Sequence, residues 1–434
     1  MRRTIRGPAA TFVADPFVQG DAALRHEPDA LILIENGRIE AFGAWDDLAP
    51  TLPPGTAVTR YGREDLILPG FIDLHVHYPQ MQIVGGFGKR LIDWLEQYTY
   101  PAEQQFADET HAREAARAFL GECLRVGTTT AAVFCTVHAH SAQAFFEESA
   151  RLNTRMIAGK TMMDRNAPEA LRDTAQRAYD ECEALMRRWH GNGRQLYAVT
   201  PRYAGSSTPA QLELAAALWR AHPGAYLQSH IAEQREEVRW VTSLYPERKG
   251  YLDIYDHFGL LGPRAVYGHG IHLTDEEVAR LGETGTSIAH CPTSNLFLGS
   301  GLLDLRRFKQ PGRDVPLGLA SDVGAGTSLS MLQTMNEAYK VAHLNGFALS
   351  AAQAFYLATQ GAARALHLER TIGSIAPGCE ADLVVLDLRS TPMIDLRMRH
   401  CRDLHEALFV QMTLGDDRAV RATWVAGELR HARA

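Results

Sequence analysis

Cysteine is scarce in this chain of 434 residues, and positive charge is not in excess. The six cysteines are Cys123, Cys135, Cys182, Cys291, Cys379 and Cys401, and no two form a CxxC pair. That argues against a thiolate zinc knuckle and a disulfide framework, so most read as small core residues. Lys and Arg number 44 against 51 Asp and Glu, for a net charge of −7. Binding a polyanion needs concentrated Lys and Arg, so no nucleic-acid partner is expected. No apolar run is long enough to span a bilayer, and Arg2, Arg3 and Arg6 lead into Gly7-Pro8 instead of an apolar segment. Neither a membrane span nor a secretory leader is expected, and the expected compartment is the cytoplasm.

What is present is the composition of a folded protein, 46% hydrophobic and 22% charged. The length suits two or three units of about 150 residues, or a barrel of about 250 with additions. Both ends of the chain read as short strands and turns. Ala30-Leu31-Ile32-Leu33-Ile34, the hairpin signal Glu35-Asn36-Gly37-Arg38 and Ile39-Glu40-Ala41-Phe42 stand near the start. Ala381 to Asp387 and Thr423 to Leu429 stand near the end. Two β pieces at opposite ends can form one small domain, because domain termini often lie close together.

Between them, apolar or β-branched runs alternate with helical segments. The runs are Leu66–Leu68, Thr128–Phe134, Met156–Met162, Leu196–Thr200, Ala225–Gln228, Ala265–Tyr267, Thr286–Ala289 and Leu317–Ala320. Three helices open with capping-box patterns at Thr208, Thr274 and Ser350. Eight strands alternating with helices predict an α/β fold, a (β/α)8 TIM-like barrel with a small β-sandwich domain built from both chain ends. The expected division is residues 1–66 and 375–434 for the β domain and 67–374 for the barrel. A doubly wound sheet would want a Gly-rich phosphate turn after its first strand, and here that turn holds histidines.

In a parallel barrel the chemistry sits where the strands end. His75 and His77 follow the first run, His230 and Glu233 the fifth, His269 the sixth and Asp322 the eighth. Residues i and i+2 of a strand face the same way, so His75 and His77 can hold one ion. Three or four imidazoles and a carboxylate suit Zn²⁺, with Fe²⁺ equally acceptable on ligand type. A second HxH, His138-Ala139-His140, shows how weak that motif is alone. These two read as structural, with His138 a further pocket candidate.

At these residues the chain resembles the amidohydrolase superfamily and, within it, the guanine deaminases. The segments that carry the resemblance are Phe71 to Gln80, Trp94 to Glu103, Gly159 to Pro168, Thr200 to Tyr203, and Ser321 through Ser328 to Leu332. Departures are small: Gln234, Tyr203 and Ala325 replace commoner residues. The resemblance implies one Zn²⁺ per chain, held by His75, His77, His230 and Asp322. Binuclear members carry a carboxylated Lys at the fourth strand, where this chain has Thr200-Pro201-Arg202. Lys160, ending the third run, reads as structural or pocket-lining. The unrelated zinc deaminases use HxE with PCxxC; this chain has a stray His367-Leu368-Glu369 and no PCxxC.

The implied reaction is hydrolytic deamination of guanine to xanthine and ammonia in purine catabolism. In it the ion makes hydroxide available near neutral pH, and Asp322 also takes the water proton. His269 hydrogen-bonds the hydroxide and the developing oxygen. Glu233 protonates the ring nitrogen and then the leaving amine, while Glu236 and Glu237 read as a solvated helix face. Gln80, Trp94, Arg202, Tyr203 and His230 are the expected substrate contacts, with Arg202 a planar donor fork for the carbonyl O6. A homodimer is implied as well. The competing expectations are a related amidohydrolase for another amino-purine, pterin or triazine, and a non-enzymatic relative of the same fold.

Overall fold

The computed structural model describes residues 2–87, 91–310 and 313–433. Its strands, in chain order, are β1 (Arg2–Phe12), β2 (Leu24–Glu35), β3 (Arg38–Ala44), β4 (Thr59–Arg60), β5 (Asp65–Pro69), β6 (Phe71–His77), β7 (Thr128–Phe134), β8 (Arg155–Gly159), β9 (Thr161–Met162), β10 (Leu196–Pro201), β11 (Tyr226–Ile231), β12 (Ala265–His269), β13 (Ser287–His290), β14 (Lys309–Gln310), β15 (Arg313–Asp314), β16 (Leu317–Leu319), β17 (Leu383–Asp387), β18 (Val420–Val425) and β19 (Glu428–Ala432).

The two chain ends build one sheet in the order β19-β18-β17-β5-β1-β2-β3, with β4 beside β1. Two of its hairpins turn on residue pairs with positive φ, Asn36-Gly37 (50° and 80°) and Ala426-Gly427 (46° and 74°). Such turns match the right-handed twist of the strands they join. Ile5, Ile32, Ile34, Ile39, Leu383, Val385 and Trp424 on one face form their own core. Alternate residues such as Leu66, Leu68, Val384 and Leu386 join the barrel's core. The sandwich expected here takes the form of a single curled sheet. Its β3 edge bends back until the Ile39 amide donates to the Cys379 carbonyl at 2.8 Å.

The run Leu66–Leu68 is not the first barrel strand. β5 pairs antiparallel with β17, so the expected boundary after residue 66 cuts through a strand of the end sheet. The first barrel strand is β6, which follows after Gly70. A Cβ at Gly70 would fall 2.7 Å from Thr129 Cγ2, so the chain passes there only as glycine.

β6, β7, β8, β10, β11, β12, β13 and β16 form the parallel barrel in that order, nearly closed. The remaining runs lie on these strands, the third being split into β8 and β9. Thr274 and Ser350 close full capping boxes, and the Thr208 hydroxyl accepts from the Gln211 amide. Ile72, Leu74, Ile157, Ala198, Tyr226, Val266, Ala289 and Ala320 form a core of their own. Beyond β16 the chain crosses back over β6: the Asp322 amide donates to the His75 carbonyl at 2.9 Å, and His77 donates to Val323 at 2.8 Å. The seam between the last and first strands is thereby stitched beside the histidines. Among the described residues no helix is long and apolar enough to cross a membrane.

Candidate active site

Each expected metal ligand leaves the end of a barrel strand. His75 and His77 stand on β6, His230 on β11, and Asp322 just beyond β16. The Nε2 atoms of His75 and His77 both lie 3.1 Å from Nε2 of His230. Asp322 Oδ1 lies 3.4 Å from His75 Nε2 and 3.6 Å from His77 Nε2. Four ligand atoms about 2.0–2.1 Å from one ion in tetrahedral geometry sit about 3.3 Å from each other. The cluster therefore has the spacing of a metal's coordination shell. Burial lowers the pKa of His75, His77 and His230, which keeps the imidazoles neutral, the form that ligates.

The surroundings fix these side chains. His230 Nδ1 donates to the Arg202 carbonyl at 2.6 Å, which leaves Nε2 bare for an ion. Buried Asp73 accepts from the Ser321 amide (3.0 Å) and the His75 amide (3.2 Å) and bonds the Ser321 hydroxyl. It ties the Asp322 corner to β6. Ala232, His269 and Asp322 hold φ at 49°, 75° and 48°, a left-handed conformation unusual for side-chain-bearing residues. Three strand ends thus bend sharply toward one point, and such strain concentrates at functional sites.

Three residues of the cluster, His77, His230 and Asp322, line a cavity at this rim. His77, Gln80, Trp94, Arg202, Tyr203, His230, Glu233, His269 and Asp322 all line it. His269 Nδ1 faces Asn295 Oδ1 at 2.9 Å, and its Nε2 stands 3.5 Å from Glu233 Oε2 and 3.8 Å from Asp322 Oδ2. Burial depresses His269, but the two carboxylates outweigh it and raise its pKa. Burial raises Glu233 against the opposing pull of His269. The Ser300 hydroxyl donates to Glu233 Oε1 at 2.9 Å and sets its orientation. A carboxyl with a raised pKa beside an imidazole is suited to passing protons near neutrality.

Three expectations change. Glu237 is not on a solvated face: it is buried, lines the cavity and accepts from the Glu233 amide (2.9 Å) and the Gln234 amide (3.3 Å). Burial pushes its pKa up to about 7. The signal was Gln234 three residues before Glu237, a capping-box pattern. Arg202 is not a free fork: Nη1 donates to both oxygens of Glu103, 2.8 Å each. Glu103 closes the stretch Trp94 to Glu103, and nothing local marks it for this bond. The third concerns the two further pocket candidates, His138 and Lys160, neither of which lines the cavity; His140, read as structural, does not line it either. Lys160 is buried in an ion pair with Asp173, and His140 bonds the Phe106 carbonyl. A second grouping, His269, Cys291 and Asp322, shares Asp322 with the first. Burial raises the Cys291 thiol well above its ordinary range, away from the ligating thiolate.

Fold and site together define a metal-dependent hydrolase barrel. The amidohydrolase family pattern matches residues 66–430, and the chain belongs to that family, within it to the guanine deaminases. It is 48% identical to guanine deaminase from Escherichia coli over 412 residues, 95% of this chain and 93% of that one. The solved structure of guanine deaminase from Bradyrhizobium japonicum superposes with a TM-score of 0.97 at 35% identity, covering all of both chains. That of the C. acetobutylicum guanine deaminase with bound guanine in the active site gives 0.88 at 26% identity, covering 99% of this chain and all of that one.

Proposed function

We propose that this chain hydrolyses guanine to xanthine and ammonia with one Zn²⁺ held by His75, His77, His230 and Asp322. The observation that carries the reading is one cavity lined by three residues of the ligand cluster, the Glu233–His269 pair and the polar side chains of Gln80 and Arg202. The bound ion supplies Lewis acidity that makes hydroxide available from water near neutral pH.

The chain's own residues do the rest. Arg202 and Gln80 hold the C6 carbonyl and N1–H edge, while Trp94 and Tyr203 flank the ring. Asp322 accepts the proton that water loses as its oxygen bonds to C2. Glu233 protonates the ring nitrogen beside C2, which spares the ring an anionic charge. His269 donates toward the oxygen as C2 becomes tetrahedral. The proton held by Asp322 passes through Glu233 to the amine, which leaves as ammonia when the C2–N bond breaks, and the C2 hydroxyl proton returns to Glu233 as the carbonyl forms. Ser300 and Glu237 hold Glu233 in place throughout.

Zn²⁺ is preferred on its imidazole–carboxylate set, with Fe²⁺ the alternative. Free cysteines, five of six buried, fit a reducing cytoplasm. A homodimer follows the commonest symmetry of soluble enzymes. Loss of guanine absorbance on conversion to xanthine, with adenine and cytosine as controls, tests the reading. Turnover of guanine alone supports it, and inertness toward guanine with the ion bound rejects it.

A further inference from the structure

We propose that Glu103 is a positioning residue that sets the hydrogen-bonding polarity of the edge formed by Gln80 and Arg202, and so the preference for a purine with N1–H beside a C6 carbonyl. The proposal rests on the guanine reading above. Glu103 lies in the helix Tyr100–Gln104, fully buried and behind the cavity wall. Its Oε1 accepts from Gln80 Nε2 at 3.0 Å, and both its oxygens accept from Arg202 Nη1. One carboxylate therefore holds both recognition residues.

That contact decides which way the Gln80 amide faces. Reversed, the amide would press its oxygen against a carboxylate, which repels it. A donor stands on the other side as well, because the Gly324 amide faces Gln80 Oε1 at 3.4 Å. The acceptor end of Gln80 is thereby kept away from Glu103, and Arg202, whose side chain offers donors only, lines the same cavity. Acceptor next to donor complements guanine, where N1–H adjoins C6=O. It opposes a purine with a bare N1, whose lone pair would meet the Gln80 oxygen. Arg202 offers donors in any orientation, but Gln80 does not have this polarity by itself, since an amide can turn either face.

The test uses the purified full chain, with 2-aminopurine as the probe that has a bare N1 and no C6 carbonyl. In Glu103→Gln the new amide no longer fixes Gln80. The expected result is a fall in kcat/KM for guanine of about 10- to 100-fold, mainly through KM, with bound metal retained. The Kd of 2-aminopurine, read by its fluorescence, should change less than about threefold or tighten. Exchanging the two groups, Gln80→Glu with Glu103→Gln, keeps the charge beside Arg202 and returns an acceptor to the edge. It should recover at least about tenfold in guanine selectivity over the single variant. If Glu103→Gln does not fold, the exchanged pair alone decides, by whether it keeps the wild-type preference to within about tenfold. Equal weakening of both purines, or no recovery on exchange, overturns the proposal. Wild-type protein inert toward guanine would instead reject the functional reading beneath it.

Discussion

Glu233 and His290 are both buried at strand ends, yet burial serves opposite ends in the two. Glu233 faces the cavity and its raised pKa is useful. Glu233→Gln keeps an acceptor for Ser300 but has no proton to give or recover. Metal content should be unchanged and kcat should fall about 100-fold or more, measured at saturating guanine. Near-normal kcat would remove Glu233 from the reaction. His290 has no hydrogen-bond partner at either ring nitrogen among the described residues, and burial pulls its pKa from 6.5 down to about 3. The unfolded chain takes up this proton near pH 6.5 and the folded chain only near 3. The contribution of neutral His290 to stability is therefore complete above pH 6.5 and is lost as pH falls toward 3. The slope is about 1.4 kcal/mol per pH unit. Urea unfolding at pH 7 and pH 5 should show a smaller loss in His290→Gln than in the unchanged protein. An equal loss in both would contradict this.

At the scale of strands and helices, the site depends on close passage between neighbours. A Cβ at Gly268 on β12 would lie 2.7 Å from Cε1 of His75 on β6. Gly268→Ala should push the His75 ring and weaken metal affinity by about 10- to 100-fold, the usual effect of disturbing a ligand's support. Competition with a chelator measures it; unchanged affinity would show that the ring has room. The barrel strands were readable because a parallel barrel buries both faces of each strand, which leaves near-continuous apolar runs. The misplacement of Leu66–Leu68 has the same origin. An apolar run says that a strand is buried, not which sheet it joins, and β5 found its partner β17 at the far end of the chain. The grouping of His75, His77, His230 and Asp322 was readable because strand ends can be located from the runs. Glu103 was not, because its bond to Arg202 spans 99 residues and nothing local announces it. Glu237 was misread because neighbouring acidic residues at a helix start look alike until one folds back as a cap.

Across the whole molecule, the end sheet and the barrel are joined by a buried ionic network. Arg155 at the start of β8 and Arg194 ahead of β10 converge on Glu380, with Arg155 Nε and Arg194 Nη2 each 2.7 Å from Glu380 Oε2. Arg194 also pairs with Asp382, which leads into β17. Removing one partner from such a network leaves a buried charge uncompensated, so the two units are held in a fixed relation. The network lies at the strand starts, while His75, His77, His230 and Asp322 lie at the strand ends. Stability and chemistry are thus placed at opposite ends of the barrel. On the proposed function, this one rim holds one ion, and guanine deamination needs it. The most direct measurement is guanine turnover by metal-free protein as Zn²⁺ is added in known ratio to the chain. Activity should rise linearly and level off at one ion per chain. A break at two ions per chain, or turnover that does not depend on the metal, would contradict a single required ion.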